Sequence, residues 1–175
     1  KIVLDICEDV AELNPGLKVN IATNGTVYNK RVQKILDMCN IHINISIDSL
    51  LHDRYSEIRI NGDLSVLMKY FEIFNKYCKD GNRDLSIMVN PMRQNWDEMV
   101  EFVKWTDEHH VKLWYNTIRY PADCAIWNLP TEKLKEIYST LKSELDSIPI
   151  NSYNYDKADH LINNQIANWL LESYE

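Results

Sequence analysis

Five polar side chains fall where a parallel sheet would present them to a ligand: Asn24, Ser46, Asp48, Asn90 and Asn116. Each closes or directly follows an apolar-alternating stretch that reads as a strand. Parallel α/β folds bind ligands at that end of their strands. Amides, a hydroxyl and a carboxylate gathered there can hold a polar ligand by hydrogen bonds. Taken singly they are ordinary loop-entry residues, and Asn116 alone reads that way. The four cysteines do not form a comparable set. Cys7, Cys39, Cys78 and Cys124 are dispersed, with no C-x-x-C pair and no Cys/His ligand spacing. No metal site is expected from them. Cys39 and Cys78 fall on apolar helix faces as buried thiols, while Cys7 lies among charged residues without a partner. Unpaired cysteines suit a reducing, cytoplasmic setting.

The elements that would position these residues alternate. A helix from Lys1 to Leu13 is stopped by Asn14-Pro15-Gly16. Strands follow at Leu17–Thr23, Ile41–Ile47, Leu85–Asn90 and Val111–Thr117. Between them lie helices at Asn29–Cys39, from Gly62-Asp63 to Asp80-Gly81-Asn82, and after Asn95, whose spacing to Glu98 resembles a capping box. Thr131 caps a further helix, and a last one runs from Asp156 after a loop at Ile148–Tyr155. Strands separated by helices imply βαβ crossovers and a parallel sheet. A strand covered on both faces would be apolar throughout. Here Ile41, Ile43, Ile45 and Ile47 alternate with His42, Asn44, Ser46 and Asp48. One face therefore packs on helices, and the other is the polar, concave face of an open or partial barrel. His42 and Asn44, deeper on that face, read as satisfied core polar groups.

Composition narrows the classes. The 175 residues carry 26 acidic and 19 basic side chains, net −7, which argues against a nucleic-acid surface. No apolar run approaches the roughly 20 residues of a membrane span. Four glycines, against roughly a dozen at average usage, exclude a Gly-rich phosphate loop.

Two segments carry a resemblance. Ile21-Ala22-Thr23-Asn24-Gly25-Thr26 ends the first strand. Ser46-Ile47-Asp48-Ser49 ends the second, followed by His52-Asp53-Arg54-Tyr55 and Arg59. This T-N-G-T, S-I-D-S, H-D-x-Y-x-x-x-R succession resembles the radical SAM superfamily, especially its peptide-modifying branch with a SPASM or twitch extension. Val89-Asn90-Pro91-Met92-Arg93-Gln94-Asn95 and Leu129-Pro130-Thr131 also fit, so the resemblance covers Leu17 to Leu141. It implies a TIM-like (βα)₆ partial barrel, of which about four parallel strands and their helices are present. It also implies a [4Fe–4S] cluster on C-x-x-x-C-x-x-C, and S-adenosylmethionine cleaved to a 5′-deoxyadenosyl radical that abstracts a substrate hydrogen. The cofactor carries that chemistry and the protein positions it.

The resemblance places Thr23 and Asn24 along the cofactor site, Ser46 at the cofactor's carboxylate or ribose, and Asn90 near its ribose or adenine. Arg59 matches the arginine that pairs with the methionyl carboxylate; otherwise it is a surface arginine beside Glu57. Asp48 either contacts ligand or caps the following turn. The chain lacks C-x-x-x-C-x-x-C and G-G-E-P. The expectation is a C-terminal barrel part over 1–147, cut inside a helix at Lys1, with a loop and helix over 148–175 leading toward an extension after Glu175. No cluster is expected in this chain, which would be inactive alone while its intact parent is an oxidoreductase-like enzyme. The expected partners are a small-molecule or peptide substrate, with no nucleic acid and no membrane, and self-association through the exposed barrel edge. The loop Tyr120–Asn128, with Trp127, either lines a substrate mouth or packs on the last helix. The competing readings are a non-catalytic binding or interaction domain on the same barrel, and a phosphosugar-type barrel fragment, which the polar sheet face and scarce glycine disfavour.

Overall fold

The computed structural model describes residues 2–14 and 16–174. Lys1, Pro15 and Glu175 lie outside it, and with them the expected start at Lys1, the part of Pro15 in stopping the first helix, and the extension after Glu175. Among the described residues the sheet has four parallel strands in sequential order: β1 (Lys18–Thr23), β2 (Asn40–Ser46), β3 (Leu85–Val89) and β4 (Lys112–Tyr115). The helices are α1 (Ile2–Leu13), α2 (Lys30–Met38), α3 (His52–Ile58), α4 (Leu64–Asp80), α5 (Met99–His109), α6 (Thr131–Leu145), α7 (Tyr155–Asp159) and α8 (Ala167–Glu172). A π-helical stretch, His160–Ile166, joins α7 to α8 and interrupts the single last helix expected from the sequence.

The alternation in β2 explains the layering. Ile41, Ile43 and Ile45 are buried against Leu67, Phe71 and Phe74 of α4 in one core that also takes in α5, α6 and the π-helical Leu161, Ile162 and Ile166. Register places Ala22, Asn44, Ser86 and Lys112 in one row on the opposite face, and Ser46, Met88 and Trp114 in the next. This α/β half-barrel with an accessible polar face is the expected class. Asp63 caps α4 through Ser65 and Val66, and Asn29 caps α2 through Arg31 and Val32.

Four local expectations fail for identifiable reasons. The short helix α3 carries only one buried residue, Tyr55, so periodicity gives no signal for it. Asn95 and Glu98 form no capping box, because both side chains are drawn to the end of β2. Thr131 is the first helical residue after Pro130, and its hydroxyl donates to Ser173 O. Cys7 is buried beside Cys39, whose thiol donates to Cys7 O, so its charged sequence neighbours point away.

The two sheet edges differ. At β4, the buried Asn154 accepts from Leu113 N–H at 2.9 Å and donates to Val111 O at 2.9 Å, so one side chain takes the place of a neighbouring strand. Among the described residues β1 pairs only with β2. Val3, Ile6, Leu17 and Val27 stand exposed around that open edge. At the strand starts, Asp84 accepts from Lys112 Nζ at 2.5 Å and Lys18 Nζ at 2.9 Å, clamping β1, β3 and β4.

Gly25 lies in the left-handed region with φ +67°, and a Cβ there would sit 2.9 Å from both Ile45 Cγ2 and Leu67 Cδ1. Gly25→Ala should therefore destabilise the fold by about 2 kcal/mol or more in urea unfolding. Gly16→Ala, with open space around it, should stay within about 0.5 kcal/mol. The lysines beside Asp84, Lys112 first, hold its carboxyl well below the usual carboxylate range. A depressed folded pKa means stability that is present above about pH 4 and lost as pH falls toward the folded value. The deficit of Asp84→Asn relative to the parent, about 1 kcal/mol at neutral pH after solvent screening, should shrink when unfolding is measured near pH 3.

Candidate functional site

The strand C-termini are joined by a buried carboxylate. Asp48, two residues beyond β2 and 2% exposed, accepts from Arg59 Nε at 2.7 Å and Arg59 Nη2 at 2.5 Å through Oδ2. Its Oδ1 accepts from the backbone N–H and the Nδ2 of Asn90, each at 2.9 Å. Asn116 Nδ2 donates to Asn90 Oδ1 at 3.0 Å, carrying the network to the end of β4. Beneath it Asn95 is buried, donating to Asp48 O at 2.6 Å and to Asn90 O at 3.1 Å. A buried charge is tolerable when it is paired and its lone pairs are occupied, as here.

Arg59 reaches Asp48 because it ends α3 at a tight turn. Gly62 N–H donates to Arg59 O at 2.5 Å, and a Cβ on Gly62 would lie 2.7 Å from that oxygen and from the Tyr55 ring. Tyr55 is buried below, and burial raises its pKa. The turn and the T-N-G-T loop enclose a cavity of about 590 Å³ lined by Asn24, Thr26, Tyr55, Arg59, Asn61 and Asp63.

Of the expected site residues, Asp48, Arg59 and Asn90 are hydrogen-bonded together, and Asn24 shares the cavity with Arg59. Asn24 Oδ1 also accepts from Thr26 N–H and Oγ1, shaping the loop. Thr23 turns inward: its Oγ1 accepts from Gly25 N–H at 3.1 Å, and it borders a separate apolar cavity of about 310 Å³ beside α1 and α2. Ser46 lies on the concave face next to Met88, outside the Asp48 network. Asp48 contacts the neighbouring strand and α3 rather than capping the turn that follows it.

Sequence reasoning missed Glu98. This buried residue accepts from Ser49 Oγ at 2.8 Å, Leu50 N–H at 2.7 Å and Arg54 Nη1 at 2.6 Å. It fastens the β2–α3 loop to the start of α5. Burial opposes the Arg54 charge, but the bonds to Asp97 and Glu98 outweigh it and raise the Arg54 pKa. The H-D-R-Y arginine is therefore a loop anchor. The only sequence signal for Glu98 was its spacing from Asn95, which has a different cause. The loop carrying Trp127 is also anchored: Arg93 N–H donates to Cys124 O at 3.0 Å, and Trp127 Nε1 donates to Ile118 O at 2.7 Å.

Lower on the concave face His42 is satisfied, its Nδ1 accepting from Asp84 N–H at 2.8 Å. Asn44 corrects the expectation, because its buried Oδ1 has no hydrogen-bond partner. Among the described residues no group of three His, Cys, Asp or Glu side chains could hold a metal ion. Cys7, Cys39 and Cys78 are buried, and burial raises the pKa of each, Cys78 to about 11. These thiols do not fit an iron–sulfur cluster, which needs converging thiolates.

Fold and site together define a parallel α/β half-barrel whose polar rim and adjoining cavity can receive a ligand carrying a negative group. No protein-family model matches the chain. It is 24% identical over 172 residues to a GTP 3′,8-cyclase of Limosilactobacillus fermentum, covering 98% of this chain and 49% of the relative. It is 25% identical over 174 residues to a GTP 3′,8-cyclase of Lactiplantibacillus plantarum, covering 99% and 50%. The chain thus spans about half the length of these curated relatives. Its fold is shared by the crystal structure of Streptococcus suis SuiB bound to S-adenosylmethionine, with a TM-score of 0.54 and 15% identity over 82% of this chain and 32% of that one. The chain is thus similar in sequence to GTP 3′,8-cyclases and shares its fold with SuiB.

Replacing Glu98 by Ala strands the Leu50 N–H and leaves Arg54 with Asp97 alone. Stability should fall by about 2–3 kcal/mol in denaturant unfolding. Glu98→Gln keeps one acceptor oxygen for part of these donors and should lose less.

Proposed function

We propose that this chain is the S-adenosylmethionine-holding part of a radical SAM enzyme. The reading is carried by the common cavity of Asn24 and Arg59, with Arg59 fixed to Asp48 and Asp48 to Asn90. The donor set suits an amino-acid end: a guanidinium fork for the carboxylate and amide oxygens for the ammonium. Asn90 and Ser46, further along the rim, would meet hydroxyls or ring nitrogens, and Thr23 would hold the Gly25 turn in shape. When bound, S-adenosylmethionine supplies the adenosyl group that this family's chemistry uses. The residues here bind it, orient it and narrow its access to water. A [4Fe–4S] cluster belongs to the intact enzyme and would be held by residues other than those described, so no step through it is derived.

The substrate reading is a small molecule or peptide received on the concave face between Ser46 and Trp114, in a cytoplasmic enzyme. No helix among the described residues is long and apolar enough to cross a membrane. The finer assignment, to the branch with a SPASM or twitch extension, rests on the ordered T-N-G-T, S-I-D-S and H-D-R-Y segments. In it, 1–147 is the barrel part, and 148–175 is the loop and helical segment leading to that extension. A second reading, a non-catalytic domain that associates through its sheet edge, is favoured by the unpaired side of β1.

Calorimetric titration of the chain with S-adenosylmethionine tests the first reading. Saturable binding should weaken about tenfold in Asn24→Ala and in Arg59→Ala. Absence of binding to the unmodified chain would overturn it.

A further inference from the structure

Arg59 has five N–H donors in a rigid plane. Asp48 takes only one edge of that plane, Nε and one N–H of Nη2, both on Oδ2. The other edge, Nη1 with the second N–H of Nη2, remains for an incoming anion, and Arg59 borders the 590 Å³ cavity. Asp48 is occupied on both oxygens, since Oδ1 is filled by the two Asn90 donors. Its own position is set by Asn95 through the backbone carbonyl. The carboxylate is thus a fixed object on β2 and β3, and the arginine is oriented by it.

We propose that Asp48 is a positioning residue that sets Arg59 as a receptor for the carboxylate of the ligand. The inference rests on the reading of the cavity as an S-adenosylmethionine site. A long arginine side chain at the end of a short helix would otherwise sample many rotamers, and each would be lost on binding. Asp48 removes that freedom beforehand and turns the unoccupied edge of the fork toward a planar, two-oxygen group, for which it is shaped. The pair also balances the arginine charge, so recognition depends on geometry as well as on attraction. A rival role is available to the same atoms: Asp48 could act as a competing anion that the ligand must displace. The two roles predict opposite responses to its removal.

The experiment compares S-adenosylmethionine with its decarboxylated analogue by calorimetry on the unmodified chain, Asp48→Asn and Asp48→Glu. The readout is the ratio of the two dissociation constants within each variant, which does not depend on the fraction of chain folded. The unmodified chain should prefer S-adenosylmethionine by about tenfold or more, as expected for a charge-assisted pair. Asp48→Asn should bring the ratio near unity, with the analogue's own affinity little changed. Asp48→Glu keeps the charge but moves the fork by one methylene, and should lose most of the preference as well. Equal weakening of both ligands would reduce Asp48 to a structural tie, and tighter binding of S-adenosylmethionine in Asp48→Asn would make it the competitor; either result overturns the proposal. Binding of both ligands by the unmodified chain without preference removes the role of Arg59 but leaves the cofactor reading standing. Binding of neither takes down both.

Discussion

A carboxylate withdrawn from water has to be met by enough donors to replace its hydration, and Asp48 meets that requirement by recruiting two separate parts of the chain. Arg59 comes from the end of α3 and Asn90 from the end of β3, while Asn95, from the turn before α5, holds the backbone carbonyls of Asp48 and Asn90. None of these segments is regular structure at the point of contact. Their positions are fixed by the demand of one buried charge. The Asn24 loop then closes the cavity from the β1 side, held by the left-handed Gly25 against Ile45 and Leu67. The rim of the sheet is in this sense built around a single anion.

The two ends of the sheet solve different problems with the same residue types. At the strand starts Asp84 faces two exposed lysines and closes the barrel floor. At the strand ends Asp48 faces one arginine and leaves part of that cation's donor capacity unspent. An acid whose partner cations stand in water stabilises, whereas an acid that leaves its partner's free donors facing a cavity can organise a site. Glu98 belongs with the first kind, although it lies only a loop away from the second.

Much of this was legible in the sequence where the information is local. Isoleucines alternating with polar residues in β2 disclosed both faces of the sheet, and the strand ends located Asn24, Asp48 and Asn90. The Asp63 and Asn29 caps were readable because a cap and its N–H partners lie within one turn. What escaped was set by contacts distant in sequence. Asn95 and Glu98 have the spacing of a capping box, but Asp48 O and Leu50 N–H, nearly fifty residues earlier, compete successfully for their side chains. Helix α3 is too short and too polar to announce itself, and it exists where Tyr55 can be buried beneath Arg59. The unpartnered Oδ1 of Asn44 cannot be inferred from its place in an alternating strand, because the small neighbours Ala22 and Ser86 are set by register.

Asn154 has a consequence for how the sheet can grow. By occupying two outward backbone groups at the start of β4 with a side chain, it obstructs strand addition there, and among the described residues the open edge is that of β1. Open strands at both edges would permit head-to-tail addition without limit. With one edge plugged, joining two copies through β1 consumes the growing point of each. Strand addition at that edge would then stop at a pair, and an edge that could template fibres would be self-terminating.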